Sequence, residues 1–298
     1  GPGRGGVKAV PANTMSGEKP MSGILYLVPT PIGNLGDISQ RMAEALEQAD
    51  FIAAEDTRVS VKLLNHLGLK KPMVSYYEHN LRERGQMILT RILDGEDCAI
   101  VTDAGMPCIS DPGEDLVRLC AENGVETVVV PGPSAAVAAL AVSGLSTARF
   151  SFEGFLSVKR SSRMEHLEQA RTQTATMIFY EAPHHLKKTL QELAAVLGDR
   201  KITLCRELTK RFETVMPTTI FAATDYFETN DPRGEYVLVI EGKSYEEKKQ
   251  EAQKNWLEMP VEEHVALYES QGFDRKEAMK KAAKDRGVSK RDIYQSLL

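Results

Sequence analysis

With 298 residues, 42% of them hydrophobic, the chain is long enough for about two domains, each able to bury a core without a metal or disulfide. A net charge of −5 excludes a protein coated in positive charge, and the longest apolar runs fall far short of a membrane span. The four cysteines, Cys98, Cys108, Cys120 and Cys205, lack C-x-x-C spacing and stand in apolar surroundings, as expected of reduced, mostly buried thiols in a cytoplasmic protein. No histidine falls near them at ligand spacing, so no metal site is expected.

In chain order, the opening "GPGRGGVKAVPANT" reads as a cleavage scar and disordered leader, with Met15 and Met21 both candidate starts. The run "ILYLV" (24–28) predicts a strand and 39–48 a helix, with apolar Met42, Ala45 and Leu46 at helical spacing. "FIAA" (51–54) predicts a second strand, ending in "EDTR" and a helix through "VKLLNHL". There follow "MVSYY", the helix around "GQMILTRIL", the strand "CAIVT" (98–102), the helix "EDLVRLCAEN" and the strand "TVVV" (127–130). Such alternation predicts a mostly parallel sheet covered by helices, with ligands bound beyond the carboxyl ends of its strands.

A hinge is expected near 143–151, and the second half reads as a mixed α/β domain. Its elements are "FSFEGFL", a helix near 162–173, "TMIFY", "HHLKKTLQELAAVL", "KITLCREL" and "EYVLVIEG". From Tyr245 onward only helices are expected, the last two resembling a helix-turn-helix with Ser289 as N-cap. The stretch 274–298 holds eight Lys or Arg and four Asp or Glu, a local +4 that leaves −9 on the rest. Such asymmetry marks either an anionic partner or a solvated helical face. The expected organisation is a leader over 1–22, α/β domains over 23–145 and 146–244, and a helical tail over 245–298.

Three loops in the first half share one chemistry: "PTPIGNLGD", "TDAGMPCISDPG" and "PGPSA". Each puts Gly and Pro at a strand's carboxyl end, where backbone can approach a ligand closely. Neither G-x-G-x-x-G nor a G-K-[ST] phosphate loop is present, and the three loops carry no Lys or Arg. They suit a ligand with adenosine, amine and carboxylate groups rather than a polyphosphate.

These motifs, with "AAEDTR", "FYEAPHHL", "RELTKRFE" and "GEYVLVIEG", closely resemble the bacterial ribosomal RNA small subunit methyltransferase I family of the tetrapyrrole methylase superfamily, from about Gly23 to the C-terminus. The resemblance implies an α/β fold of two domains with a cleft between them (the class III methyltransferase type), plus the helical C-terminal region. It implies transfer of a methyl group from S-adenosylmethionine to the ribose 2′-hydroxyl of a cytidine in the decoding region of 16S rRNA, in the 30S subunit, by a homodimer. By the same resemblance the cofactor is lined by Pro31, Ile32, Gly33, Asp103, Ala104, Gly105, Ile109 and Ser110. Pro131, Gly132, Pro133 and Ser134 close one wall, with Phe155 and Tyr180 reaching across. Two other readings are a methyltransferase acting on tetrapyrroles and a non-catalytic rRNA-binding assembly factor.

A ribose hydroxyl is a poor nucleophile until its proton leaves, so a base or a nearby cation is required. Candidates are Glu55, Asp56 and Arg58 in "EDTR", Glu181, and Arg206, Glu207 and Lys210 in "RELTK". Asp56–Arg58 and Arg206–Glu207 read equally as structural ion pairs. Candidate phosphate contacts are Lys159, Arg160, Arg163, Lys210 and Arg211, with Lys280, Lys281, Lys284, Arg286, Lys290 and Arg291 in the tail.

Overall fold

The computed structural model describes residues 21–110 and 112–298; the expected leader lies outside them up to Pro20. The first half runs β1 (Ile24–Leu27), α1 (Gln40–Gln48), β2 (Phe51–Ala54), α2 (Thr57–His66), β3 (Met73–Ser75), α3 (Leu81–Leu93), β4 (Cys98–Val101), α4 (Glu114–Glu122), β5 (Glu126–Val129) and α5 (Ala135–Val142). A 3-10 turn, Leu35–Asp37, precedes α1. The second half runs β6 (Phe150–Gly154), α6 (Arg160–Thr172), β7 (Thr176–Glu181), α7 (Pro183–Leu197), β8 (Lys201–Arg206), β9 (Thr214–Thr219), α8 (Ile220–Thr229) and β10 (Tyr236–Ile240). Four helices follow: α9 (Tyr245–Leu257), α10 (Val261–Ser270), α11 (Arg275–Arg286) and α12 (Lys290–Ser296).

The inner strands β1, β2 and β4 are apolar at every position because both faces of the first sheet are covered there, whereas the edge strands β3 and β5 carry Ser75, Glu126 and Thr127. Leu25, Phe51, Ala53, Cys98 and Ile100 enter one core with Ile88, Ile92 and Leu116 of α3 and α4. Tyr26, Ile52, Ala99 and Val101 alternate with them into a second core with Met42, Leu46 and Leu64 of α1 and α2. The five strands are all parallel, in the order β3-β2-β4-β1-β5. The chain leaves β1 toward β2 and leaves β4 toward β5, so the loops after these two neighbours depart in opposite directions. A crevice at the carboxyl ends is the geometric result. Thr30 and Gly105 bridge the two loops through backbone hydrogen bonds of 3.0 and 2.9 Å.

The second sheet is mixed, ordered β6-β7-β10-β8-β9, with only β6 and β7 parallel. Leu167, Leu186, Leu190, Ile220 and Phe227 pack α6, α7 and α8 on one face. The other face receives α5, whose Ala136, Ala139 and Leu140 pack on Ile178, Cys205, Val237 and Val239. The hinge expected near 143–151 is therefore no break in packing. Thr203 Oγ1 donates to Ser143 O at 2.7 Å, and Thr176 Oγ1 to Ser146 O at 2.6 Å. Cys98, Cys120 and Cys205 are buried and Cys108 is half-buried.

The tail forms its own small core of Val265, Ala278, Met279, Ala282, Ala283 and Ile293. Asp274 caps α11, Gly287 ends it in the left-handed conformation (φ 67°), and Ser289 and Asp292 form a capping box on α12. Among the described residues no helix is long and apolar enough to cross a membrane.

Candidate active site

Three backbone segments build the site from the first sheet. The turn Pro31–Asn34 follows β1, Asp103–Ser110 follows β4, and Pro131–Ser134 follows β5. Their glycines make room for protein. A Cβ on Gly132 would collide with the ring of Pro29, and one on Gly33 would come within 2.5 Å of Lys210 Cγ and 2.9 Å of Thr209 Oγ1. Gly105, at φ 83°, lies with its Cβ position 3.2 Å from Ile32 and 3.4 Å from Pro133 O. These glycines let the loops close on one another and on the second half, and the cavity forms at their rim.

That cavity, about 310 Å³, is lined by Pro31, Gly33 and Asp103 among the expected residues. Thr30, Asn34, Leu35 and Thr102, with Val59, Ser60, Lys62, Leu63 and His66 of α2, complete it. The remaining expected residues line the seam between the sheets. Ile109 and Phe155 are 50% and 59% exposed there, and Phe155 stands edge-on to Tyr180 at 5.6 Å. Ser110 Oγ lies 3.5 Å from the Cβ position of Gly154. Tyr180 Oη accepts from the Ala136 N–H at 3.1 Å, satisfying an amide in the first turn of α5 just past Ser134. Ala104 and Pro131 are exposed beside these contacts.

The carboxylates group at the ends of β2 and β4. Glu55 Oε2 accepts from Thr102 Oγ1 at 3.4 Å. Asp56 caps α2, accepting from Arg58 N at 3.0 Å, and pairs with the Arg58 guanidinium at 3.0–3.1 Å. These bonds hold Asp56 below the usual carboxylate range. Asp103 is pushed up, by desolvation first and the Asp56 carboxylate second, against a hydrogen bond from the Asp56 backbone that lowers it. Among the carboxylates at these strand ends, Asp103 is thus the one held above its usual range.

Opposite stands the turn after β8. Lys210 Nζ lies 2.9 Å from both Glu207 and Glu235, and these carboxylates, Glu207 first, raise its pKa. The expected Arg206–Glu207 pair is replaced by this bridge. Asn34 Nδ2 donates to Thr209 O at 3.4 Å, tying the turn to the loop after β1. Among the described residues, four non-glycine residues hold positive φ, namely Cys108 (70°), Ser110 (61°), Glu207 (52°) and Thr209 (70°), and all lie in the two facing loops. For a β-branched residue such as Thr209 this conformation is costly, and its buried Oγ1 has no hydrogen-bond partner among the described residues.

Three expected site residues have other positions. Glu181 is buried, accepting from Thr189 Oγ1 at 2.6 Å and from Ala182 N at 2.8 Å on the face covered by α7, away from the loops. Arg163 is buried against Glu192 (2.7 Å) and Thr189 (2.6 Å), which leaves it no face for a phosphate. Arg286 is buried with Nη1 donating to Trp256 O and Met259 O, both at 2.8 Å. Lys159, Arg160, Arg211, Lys280, Lys281, Lys284, Lys290 and Arg291 are all exposed. Thr209, Asn34 and the α2 wall escaped sequence reasoning. The threonine stands inside the quoted "RELTK", but its backbone conformation leaves no trace in residue type.

The first half and most of the second, residues 24–224, match the family model for Tetrapyrrole (Corrin/Porphyrin) Methylases. The chain belongs to that family. It is a methyltransferase, and methyltransferases of the family use S-adenosylmethionine. Its relatives include proteins named "Ribosomal RNA small subunit methyltransferase I". That of Halalkalibacterium halodurans is 44% identical over 91% of this chain and 93% of its own length, and that of Bacillus subtilis 45% identical over the same shares. Diphthine synthase (TM-score 0.57, 17% identity, 74% of this chain and 91% of that one) has the same fold. So has the uroporphyrin-III-C-methyltransferase of Thermus thermophilus (TM-score 0.52, 18% identity, 74% and 94%). The residues present fit the cofactor of these methylases. The Asp103 carboxylate suits a cationic amine or ribose hydroxyls, the apolar cavity wall and seam suit a purine face, and no guanidinium demands a phosphate.

Proposed function

We propose that this methyltransferase modifies the ribose 2′-hydroxyl of a cytidine in the decoding region of 16S rRNA, on the 30S subunit, with S-adenosylmethionine as donor. The reading is carried by the 44–45% identity over nine-tenths of the chain to proteins named for small-subunit ribosomal RNA methylation. When bound, the donor supplies a methyl group on a sulfonium, whose departure needs no acid.

What the chain must add is position and proton transfer. Asp103 and the Pro31–Gly33 turn hold the donor, while Ile109, Phe155 and Tyr180 shield it from water along the seam. Glu207, 2.9 Å from the Lys210 ammonium, takes the hydroxyl proton, and that ammonium steadies the developing alkoxide. Lys159, Arg160 and Arg211 contact RNA phosphates, as do Lys280, Lys281, Lys284, Lys290 and Arg291 in the tail. Incubation with methyl-labelled donor and either 30S subunits, deproteinised 16S rRNA or a porphyrinoid precursor is expected to label ribose in the 30S sample. Label in the porphyrinoid instead would overturn the assignment.

The working unit is proposed to be a homodimer. Helix α5, "AAVAALAV", is apolar on every side, yet Val137 and Val142 remain 56% and 48% exposed, beside Val129 at 52%. An apolar helix with an open face calls for a second surface. Val137→Glu is expected to give a monomer by light scattering at micromolar concentration; an unchanged mass would exclude this face.

A further inference from the structure

A second cavity, about 430 Å³, lies on the opposite face of the second sheet, under α8 and beyond the end of β8. In the sheet register Tyr236 pairs with both Glu181 and Arg206, and Arg206 with Thr214, so these side chains share one face. Leu204, Met216, Phe227 and Tyr236 belong to the core and give the cavity an apolar floor. Above it stand two guanidinium groups, Arg206 and Arg233, and the ring of Tyr226, 48% exposed and held edge-on to Phe227 at 4.9 Å.

The Arg206 guanidinium is fixed in place, its Nε donating to Arg233 O at 2.6 Å and its Nη1 to Phe212 O at 3.4 Å, and the backbone N–H of Arg233 donates to Tyr236 Oη at 3.3 Å, which anchors the chain from which the Arg233 side chain extends. The one carboxylate in the lining, Asp231, is neutralised by Lys187 at 2.9 Å, so the cavity is net positive. The carboxyl end of α8 reaches it at Thr229 and Asn230. Its partial negative charge suits an exocyclic amine and disfavours a bare polyphosphate. A flat aromatic face, planar cations and amide and hydroxyl groups in a volume of this size are what an unstacked nucleotide of single-stranded RNA requires.

We propose that this cavity binds a nucleotide of the substrate RNA other than the methylated one, its base against Tyr226 and its phosphate on Arg206 and Arg233. The inference rests on the RNA reading above and makes Arg206 a binding residue rather than a catalytic one. Arg206 ends β8, and the strained turn that follows carries Glu207 and Lys210 to Gly33, so both sites hang on one segment.

Tyr226 and Arg233 are exposed, so their variants keep the core intact. In Tyr226→Ala and Arg233→Ala the KM for 30S subunits is expected to rise about tenfold, with kcat within about twofold and donor affinity unchanged. Tyr226→Phe, which keeps the ring, is expected to restore KM. In parallel, a fluorescein-labelled single-stranded oligoribonucleotide is titrated by anisotropy into the full chain, with the same loss expected. Ribose methylation with wild-type KM in both alanine variants sinks this site and leaves the function standing. No methyl transfer to any RNA, but oligonucleotide binding that both variants lose, sinks the function and leaves the site. Unchanged KM and unchanged or absent oligonucleotide binding overturn the proposal.

Discussion

Asp103→Ala is expected to weaken S-adenosylmethionine binding on the order of 30- to 100-fold, a loss of about 2–3 kcal/mol, measured by isothermal titration calorimetry. The magnitude is that of a hydrogen bond to a charged group, and Asp103 is the carboxylate that lines the cavity with its pKa pushed up. The pH dependence follows from that direction. Binding uses the ionised carboxylate, so affinity is complete at neutral pH and falls on acidification, beginning above the range where an ordinary aspartate protonates. For the unliganded protein the sign is opposite. A raised carboxyl pKa means the folded state holds its proton more tightly than the unfolded chain, so this group's contribution to stability declines as pH rises through the shifted value. Asp103→Asn should therefore lose the acid-dependent part of donor affinity while raising the melting temperature of the free protein near neutrality. Wild-type affinity in Asp103→Ala would remove the donor from this cavity.

Arg163→Ala should leave RNA affinity unchanged and destabilise the fold by about 3 kcal/mol, lowering the melting temperature by roughly 6–10 °C. The guanidinium joins α6 to α7 through Glu192 and Thr189, and Thr189 passes the connection on to Glu181 at the end of β7. Removing it strands the Glu192 carboxylate, only 18% exposed, without its partner. Arg163→Met with Glu192→Leu removes both charges and is expected to recover most of the loss, because a buried pair adds little beyond a well-packed apolar one. Reduced RNA affinity at an unchanged melting temperature would return Arg163 to the phosphate contacts.

The parts of the fold that were legible are those whose signals are local. Apolar runs marked β1, β2 and β4, the β-branched run 127–130 marked β5, and Ser39 and Ser289 marked helix starts. Strand β9 and helix α8 were not readable. Strand β9 is an edge strand carrying Pro217, paired only with β8, and Thr219 caps α8 without a preceding loop. Helix α5 has no apolar face to read because all eight residues are apolar, and its partner is a sheet built from strands that come later in the chain. Within the site, a carboxylate at a strand's end pointed to Asp103. Nothing local distinguished Arg163, in a basic run that looks solvated, from the exposed cations beside it. Burial of that one guanidinium is decided by Glu192, 29 residues away in sequence.

Helix α5 emerges from the last strand of one sheet and beds into the other, so the short link 131–134 carries whatever slack the chain allows between them. Two of those four residues are prolines, with φ fixed near −65°. Proteolytic nicking between Val142 and Phe150 would consequently leave the pieces clasped together by the helix. Nicking ahead of Ala135 would hand that clasp to the other fragment and leave the first sheet held to it through the loop contacts at Gly33 and Asn34.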